Sequence, residues 1–122
     1  MTRRPEPGLR DRMSSALPAA MRARDRVAVA ALRSALAAVA NAEAVHIDTV
    51  PRAGAIERAQ VGAGAADAPR LDLSEDDVRA VVEAEVAEHD RDARHLADVG
   101  RPDEATAVRA QADVLRALLD GG

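Results

Sequence analysis

Apolar residues recur at helical spacing in four stretches of this chain, and the breaks between them outline its architecture. Leu9, Met13, Ala16, Leu17, Ala20 and Met21 form one apolar face and predict a first helix from about Leu9 to Arg24. Pro18 sits inside that pattern. It donates no backbone hydrogen bond and crowds the carbonyl of Ser14, so a kink or restart is expected there. Asp25 is placed to cap a second helix from Arg26 to about Val45. Leu32, Leu36 and Val39 carry its large apolar stripe, while Ala28, Ala30, Ala31, Ala35, Ala38 and Ala42 spread around the rest. A helix apolar on most sides belongs at the centre of its bundle, so this element should be the most buried.

From His46 to Leu73 the helical period disappears. Pro51, Gly54, Gly62, Gly64 and Pro69 punctuate this stretch, which reads as a long Gly/Ala-rich loop with one short turn of helix at Ala55 to Gln60. His46 is then a solvent-facing loop residue. Ser74, followed by Glu75, Asp76 and Asp77, opens a third helix with an N-cap hydroxyl and acids in the first turn. Val78, Val81, Val82, Val86, Ala93 and Leu96 continue its apolar stripe to about Val99. Gly100 supplies a left-handed stop and Pro102 suits the first turn of a fourth helix, carried by Ala105, Val108, Ala112, Leu115 and Leu119. The predicted fold is all-α: a hairpin over 9–45, a loop over 46–73 and a second hairpin over 74–119 in a single domain.

Composition agrees with helices. Thirty of 122 residues are Ala, hydrophobic residues make up 48% and aromatic residues 0%. Strands favour aromatic and β-branched residues, so an all-β chain is disfavoured, and disorder is excluded by the hydrophobic content. The large core formers are 10 Leu, 13 Val, 2 Ile and 3 Met, which predicts a thin, closely spaced core. Cys is absent, so there is no disulfide framework or thiol chemistry. The opening residues lead into no apolar run of the signal-peptide kind, and the uncharged run Ser34 to Ala42 is shorter than the ~20 residues of a membrane span, so a cytoplasmic, membrane-free protein is expected. Every basic residue is Arg, which removes Schiff-base lysines and the Lys of a phosphate-binding loop.

Candidate chemistry is sparse. Residues 1–70 carry 11 Arg against 7 acids, whereas residues 71–122 carry 6 Arg against 14 acids. The N-terminal arginines Arg10, Arg12, Arg22, Arg24, Arg26 and Arg33 are therefore the candidate nucleic-acid footprint, because guanidinium groups bind phosphates bidentately. Against it stand a pI near 5.3 and the absence of any aromatic platform for base stacking; the competing reading is a solvated helix face. On the third helix, Glu85, His89 and Asp92 share i, i+4, i+7 spacing, as do Glu88, Asp92 and His95. Either trio has metal-ligand spacing, but a charged flank accounts for both, and neither a metal nor another cofactor is expected. Glu85 and His89 fall on the apolar stripe and are read as structural, bonded to each other or across an interface. Ser14, Ser15, Ser34 and Ser74 have no His near them in sequence, so no catalytic residue is nominated.

Several segments resemble the GatB/YqeY family of small helical proteins, related to the C-terminal part of the B subunit of tRNA-dependent amidotransferases. They are Ala19-Ala-Met-Arg-Ala-Arg-Asp25, Val29-Ala-Ala-Leu-Arg-Ser-Ala-Leu36, Asn41-Ala-Glu43, Leu73-Ser-Glu-Asp-Asp-Val78, Glu83-Ala-Glu-Val86 and Gly100-Arg101. The resemblance marks Arg24, Asp25, Leu32, Arg33, Asn41, Glu43, Glu85, Gly100 and Arg101 as family-motif positions. It covers about residues 9–119 and neither the further small helical domain associated with gripping tRNA nor the catalytic domain of the amidotransferase. What it implies is a non-catalytic accessory module of a glutamine-dependent carbon–nitrogen ligase system, binding tRNA or an amidotransferase-like protein; from the basic N-terminal half, Arg22, Arg24, Arg26 and Arg33 are the candidate tRNA contacts. A self-associating interaction bundle is the alternative, and a stand-alone amide-forming enzyme ranks last, having no nucleophile or ATP site.

Overall fold

The computed structural model describes residues 7–48 and 73–121. These form four helices: α1 (Leu9–Ala23), α2 (Arg26–Asp48), α3 (Glu75–Asp98) and α4 (Pro102–Asp120). The fold is all-α, with α1–α2 and α3–α4 each joined by a tight turn into an antiparallel hairpin. The short helical turn expected at Ala55–Gln60 lies outside the described residues.

Two expectations are corrected. α1 runs without a restart through Pro18. Pro18 and Ser14 are both exposed, so water can satisfy the carbonyl that loses its helical donor. α2 continues to Asp48, which places His46 in a helix rather than in a loop. The alanines up to Ala44 favour the helix, and neither Pro nor Gly stands between them and Asp48 to stop it.

The helix ends are closed mainly by local chemistry. The Ser74 hydroxyl accepts from the Asp77 N–H at 3.1 Å while the Asp77 carboxylate accepts from the Ser74 N–H, a reciprocal capping box. Asp25 accepts from the Ala28 N–H at 3.0 Å and caps α2. α1 lacks a cap of its own: the Leu9 N–H donates instead to Glu75 of α3 at 3.0 Å, and a Cβ on Gly8 would stand 2.6 Å from that carboxylate. At the same end of the bundle, Arg12 donates to the Leu118 carbonyl at 2.8 Å and Arg79 to the Leu119 carbonyl at 2.7 and 3.1 Å. Both cations complement the negative end of the α4 dipole.

The core draws on all four helices. Leu9, Met13, Leu32, Val39, Val82 and Leu115 are its largest fully enclosed side chains. α2 supplies Ala31, Leu32, Ala35 and Val39 to it, yet Ala30, Ala37, Ala40 and Ala44 face outward. With Glu43, α2 holds more buried residues than any other helix among the described residues, as expected of the most buried element, and its outward alanines serve as helix formers. By length and a mean hydropathy of 1.3, Arg26–Val45 is also apolar enough to cross a membrane. In the bundle this stretch instead packs against α1, α3 and α4.

Candidate nucleic-acid interface

The six N-terminal arginines divide by what they meet. Arg10 forms a two-pronged ion pair with Glu43 of α2, with its second nitrogen 2.7 Å from the carboxylate. Arg12 is held on the end of α4. These two bind the bundle together. Arg22 lies exposed in the last turn of α1.

Arg24, Arg26 and Arg33 converge. With Met21, Val29 and Ala30 they line one open groove of about 490 Å³. The helical repeat explains the α2 wall, because positions 26, 29, 30 and 33 fall on one face at i, i+3, i+4 and i+7. Tertiary structure supplies the rest: the turn after Ala23 sets Arg24 beside that face. All three arginines are exposed, and among the described residues none of them forms an ion pair. Met21 is 49% exposed, so the wall carries apolar surface between the guanidinium groups. The charge pattern marks the arginines alone; Met21 falls on the apolar face predicted for α1 yet turns outward onto this groove, and Val29 and Ala30 carry no signal of a site.

The other candidates resolve into structure. Glu85 accepts from the Ser34 hydroxyl of α2 at 2.7 Å, the cross-interface arrangement rather than a bond to His89. The Nε2 atom of His89 is buried without a hydrogen-bond partner among the described residues. That hydrogen bond joins α2 to α3, which gives the pair a structural role between the two hairpins. Glu88, Asp92 and His95 are exposed, and among the described residues no group of three or more His, Cys, Asp or Glu could hold a metal ion.

Most positions that the resemblance marks have evident structural work. Asp25 caps α2, Leu32 is core, Glu43 is 8% exposed against Arg10, and Glu85 ties α2 to α3. Gly100 adopts φ +83° in the α3–α4 turn, and Arg101 pairs with Glu104 at 2.7 Å. Asn41 is exposed on a second, mainly apolar groove of about 600 Å³, bounded by Val45, Leu73, Asp77 and Val81. Arg24 and Arg33 are the motif residues that reach the arginine groove. No protein-family model, curated protein or solved structure matches the chain.

Proposed function

We propose that this chain is a non-catalytic helical accessory module of the GatB/YqeY type, acting in the cytoplasm beside a tRNA-dependent amidotransferase system and binding tRNA. The observation that carries the reading is the convergence of Arg24, Arg26 and Arg33 on one open groove with no carboxylate partner among the described residues. Guanidinium groups in this state suit phosphate oxygens, which they contact bidentately. The acidic character of the chain as a whole limits non-specific attraction, so binding should centre on the α1–α2 end.

An electrophoretic shift of labelled tRNA at low and moderate salt tests the reading. Wild type should bind at low salt and weaken steeply as salt rises, as phosphate contacts require. Replacing Arg24, Arg26 and Arg33 together by Gln should abolish the shift. No binding to any tRNA at low salt would remove the RNA reading, and sedimentation at micromolar concentration then decides for or against a self-associating bundle.

A further inference from the structure

α2 is the most enclosed helix of the bundle, yet it keeps one long face outside. Its inner stripe of Ala31, Leu32, Ala35 and Val39 is buried, while Arg26, Ala30, Arg33, Ala37, Ala40 and Ala44 are exposed. Those six positions are separated by alternating steps of four and three residues, the a and d spacing of a heptad, so they form one line along the helix. Asn41 and Val45, the latter 61% exposed, border the same line. After Arg33, no exposed residue of α2 up to Val45 carries a charge. A helix face turned to water is ordinarily polar, and the other hairpin follows that rule with Glu83, Glu88 and Asp92 on α3 and Asp103, Glu104 and Arg109 on α4. Arg26–Val45 is also the stretch apolar enough to cross a membrane, and only 33% of its most apolar window is enclosed by the bundle.

Profile and charge together say what covers this face. Alanine at four of the six positions leaves no bulky side chain to hold a second helix away, so two axes can approach at the short end of the ~8–10 Å range. The charge runs in one direction. Arg26 and Arg33 stand in the N-terminal half, at the positive end of the α2 dipole, and α2 carries no acid in its first turn. The other half ends on the negative pole of the dipole, and the acids that open α3, Glu75, Asp76 and Asp77, sit at that same end, with Asp77 and Val45 on one groove. Two copies laid parallel would set cation on cation. Turned end for end, each sets its cationic half on the negative end of the other, so the face is complementary to itself.

We infer that the exposed face of α2 is the docking surface for a second copy of this chain, paired antiparallel about a two-fold axis at Ala37. Ala37 meets the partner's Ala37, Ala30 meets the partner's Ala44, and Arg26 lies over the C-terminal end of the partner's α2. The contact uses the same patch on both copies and closes on itself, so it gives a dimer and no filament. Eight exposed α2 residues a side fall short of the ~20–30 of a standard interface, so the pair is weak and depends on concentration. Arg26 and Arg33 border the seam, so RNA held at the arginine groove draws the chain toward the monomer. The pairing is measured without RNA and stands or falls apart from the tRNA reading.

The chain has no Cys, so single cysteines report the register without background. Ala37→Cys should give a disulfide-linked dimer under mild oxidation, because residues on the axis meet their own copies within the ~4.4–6.8 Å Cα separation of a disulfide. Ala30→Cys alone should not, since antiparallel pairing holds its two copies about 21 Å apart along the helix. Mixed with Ala44→Cys it should cross-link. In sedimentation velocity, wild type should pass from monomer toward dimer between micromolar and millimolar concentration. Ala37→Glu should stay monomeric with an unchanged far-UV circular dichroism spectrum, while Ala107→Glu, at an exposed position of α4, should dimerise like wild type. Wild type that remains monomeric at millimolar concentration overturns the inference. Dimerisation of Ala37→Glu also overturns it, by placing the contact on another face. Equal cross-linking of Ala30→Cys and Ala37→Cys does so too, as the mark of parallel pairing or random collision. A chain that binds tRNA and never dimerises leaves the accessory-module reading standing without this surface, and a dimer that binds no tRNA does the reverse.

Discussion

Arginine does several unlike jobs in this molecule, and its surroundings decide which. Arg10 neutralises Glu43, a carboxylate that would otherwise be enclosed and uncompensated. Arg12 and Arg79 satisfy carbonyls at the end of α4. Arg101 and Glu104 are both more than half exposed, so their pair contributes little. Arg116 bridges Asp90 of α3, at 2.9 Å, and Asp113 of its own helix, at 3.0 Å. The hydrogen bond from Arg116 outweighs the opposing effect of desolvation and holds the Asp90 carboxyl below its usual 3.8. A carboxyl depressed in the folded state stabilises the fold above its unfolded pKa, and that contribution is lost as pH falls through the folded value. Urea titrations of wild type and Asp90→Asn should therefore differ by a constant amount well above the usual carboxyl value of 3.8, and the difference should shrink as pH falls below it. A difference that persists at the acid end would mean that Asp90 acts by packing rather than by charge. Solvent screening at this exposed pair keeps the effect small.

Among the elements, α1 departs furthest from an ideal helix. It takes its N-terminal acceptor from Glu75 of another hairpin and carries a proline in its third turn. Pro18 is exposed, so its ring fills no core space, and its effect is confined to the missing Ser14 hydrogen bond and the crowding around it. Pro18→Ala should stabilise the protein by about 1–3 kcal/mol, read as a higher midpoint in a circular dichroism melt. An unchanged midpoint would mean that α1 has already absorbed the proline by local bending. α2 illustrates a different point. Its alanines lengthen the helix and line its outer face as readily as its inner one, so a count of apolar residues measures helix propensity as well as burial.

For the whole molecule, stability rests on a few aliphatic anchors at the crossing of four helices. Leu115 is 0% exposed and belongs to a core with no aromatic residue. Leu115→Ala should cost about 2–5 kcal/mol, a large share of the stability of a small domain, and should lower the thermal midpoint sharply. Circular dichroism is the measurement of choice, because the chain has no Trp or Tyr. A loss well under 1 kcal/mol would show that the surrounding alanines collapse into the space.

The helices, their caps and the left-handed glycine were legible in the chain because each depends on neighbours within about a turn. Ser74 with Asp77, Asp25 with Ala28 and the Gly100 stop all act over that range. The through-running α1 and the helical setting of His46 were not, since a break at Pro18 and an end near Val45 were the natural inferences from local rules. The arginines of the groove were visible as a charge excess, but nothing in their spacing separated Arg24, Arg26 and Arg33 from Arg10 and Arg12. That separation came from partners far along the chain: Glu43 claims Arg10, and the end of α4 claims Arg12. Likewise the place of Glu85 on an apolar stripe announced a polar group facing inward, while its partner Ser34 lies on the other hairpin. Periodicity and capping are short-range and can be computed from adjacent residues. Which charges are neutralised and which are left facing solvent depends on how two hairpins dock, and only the docked bundle settles it.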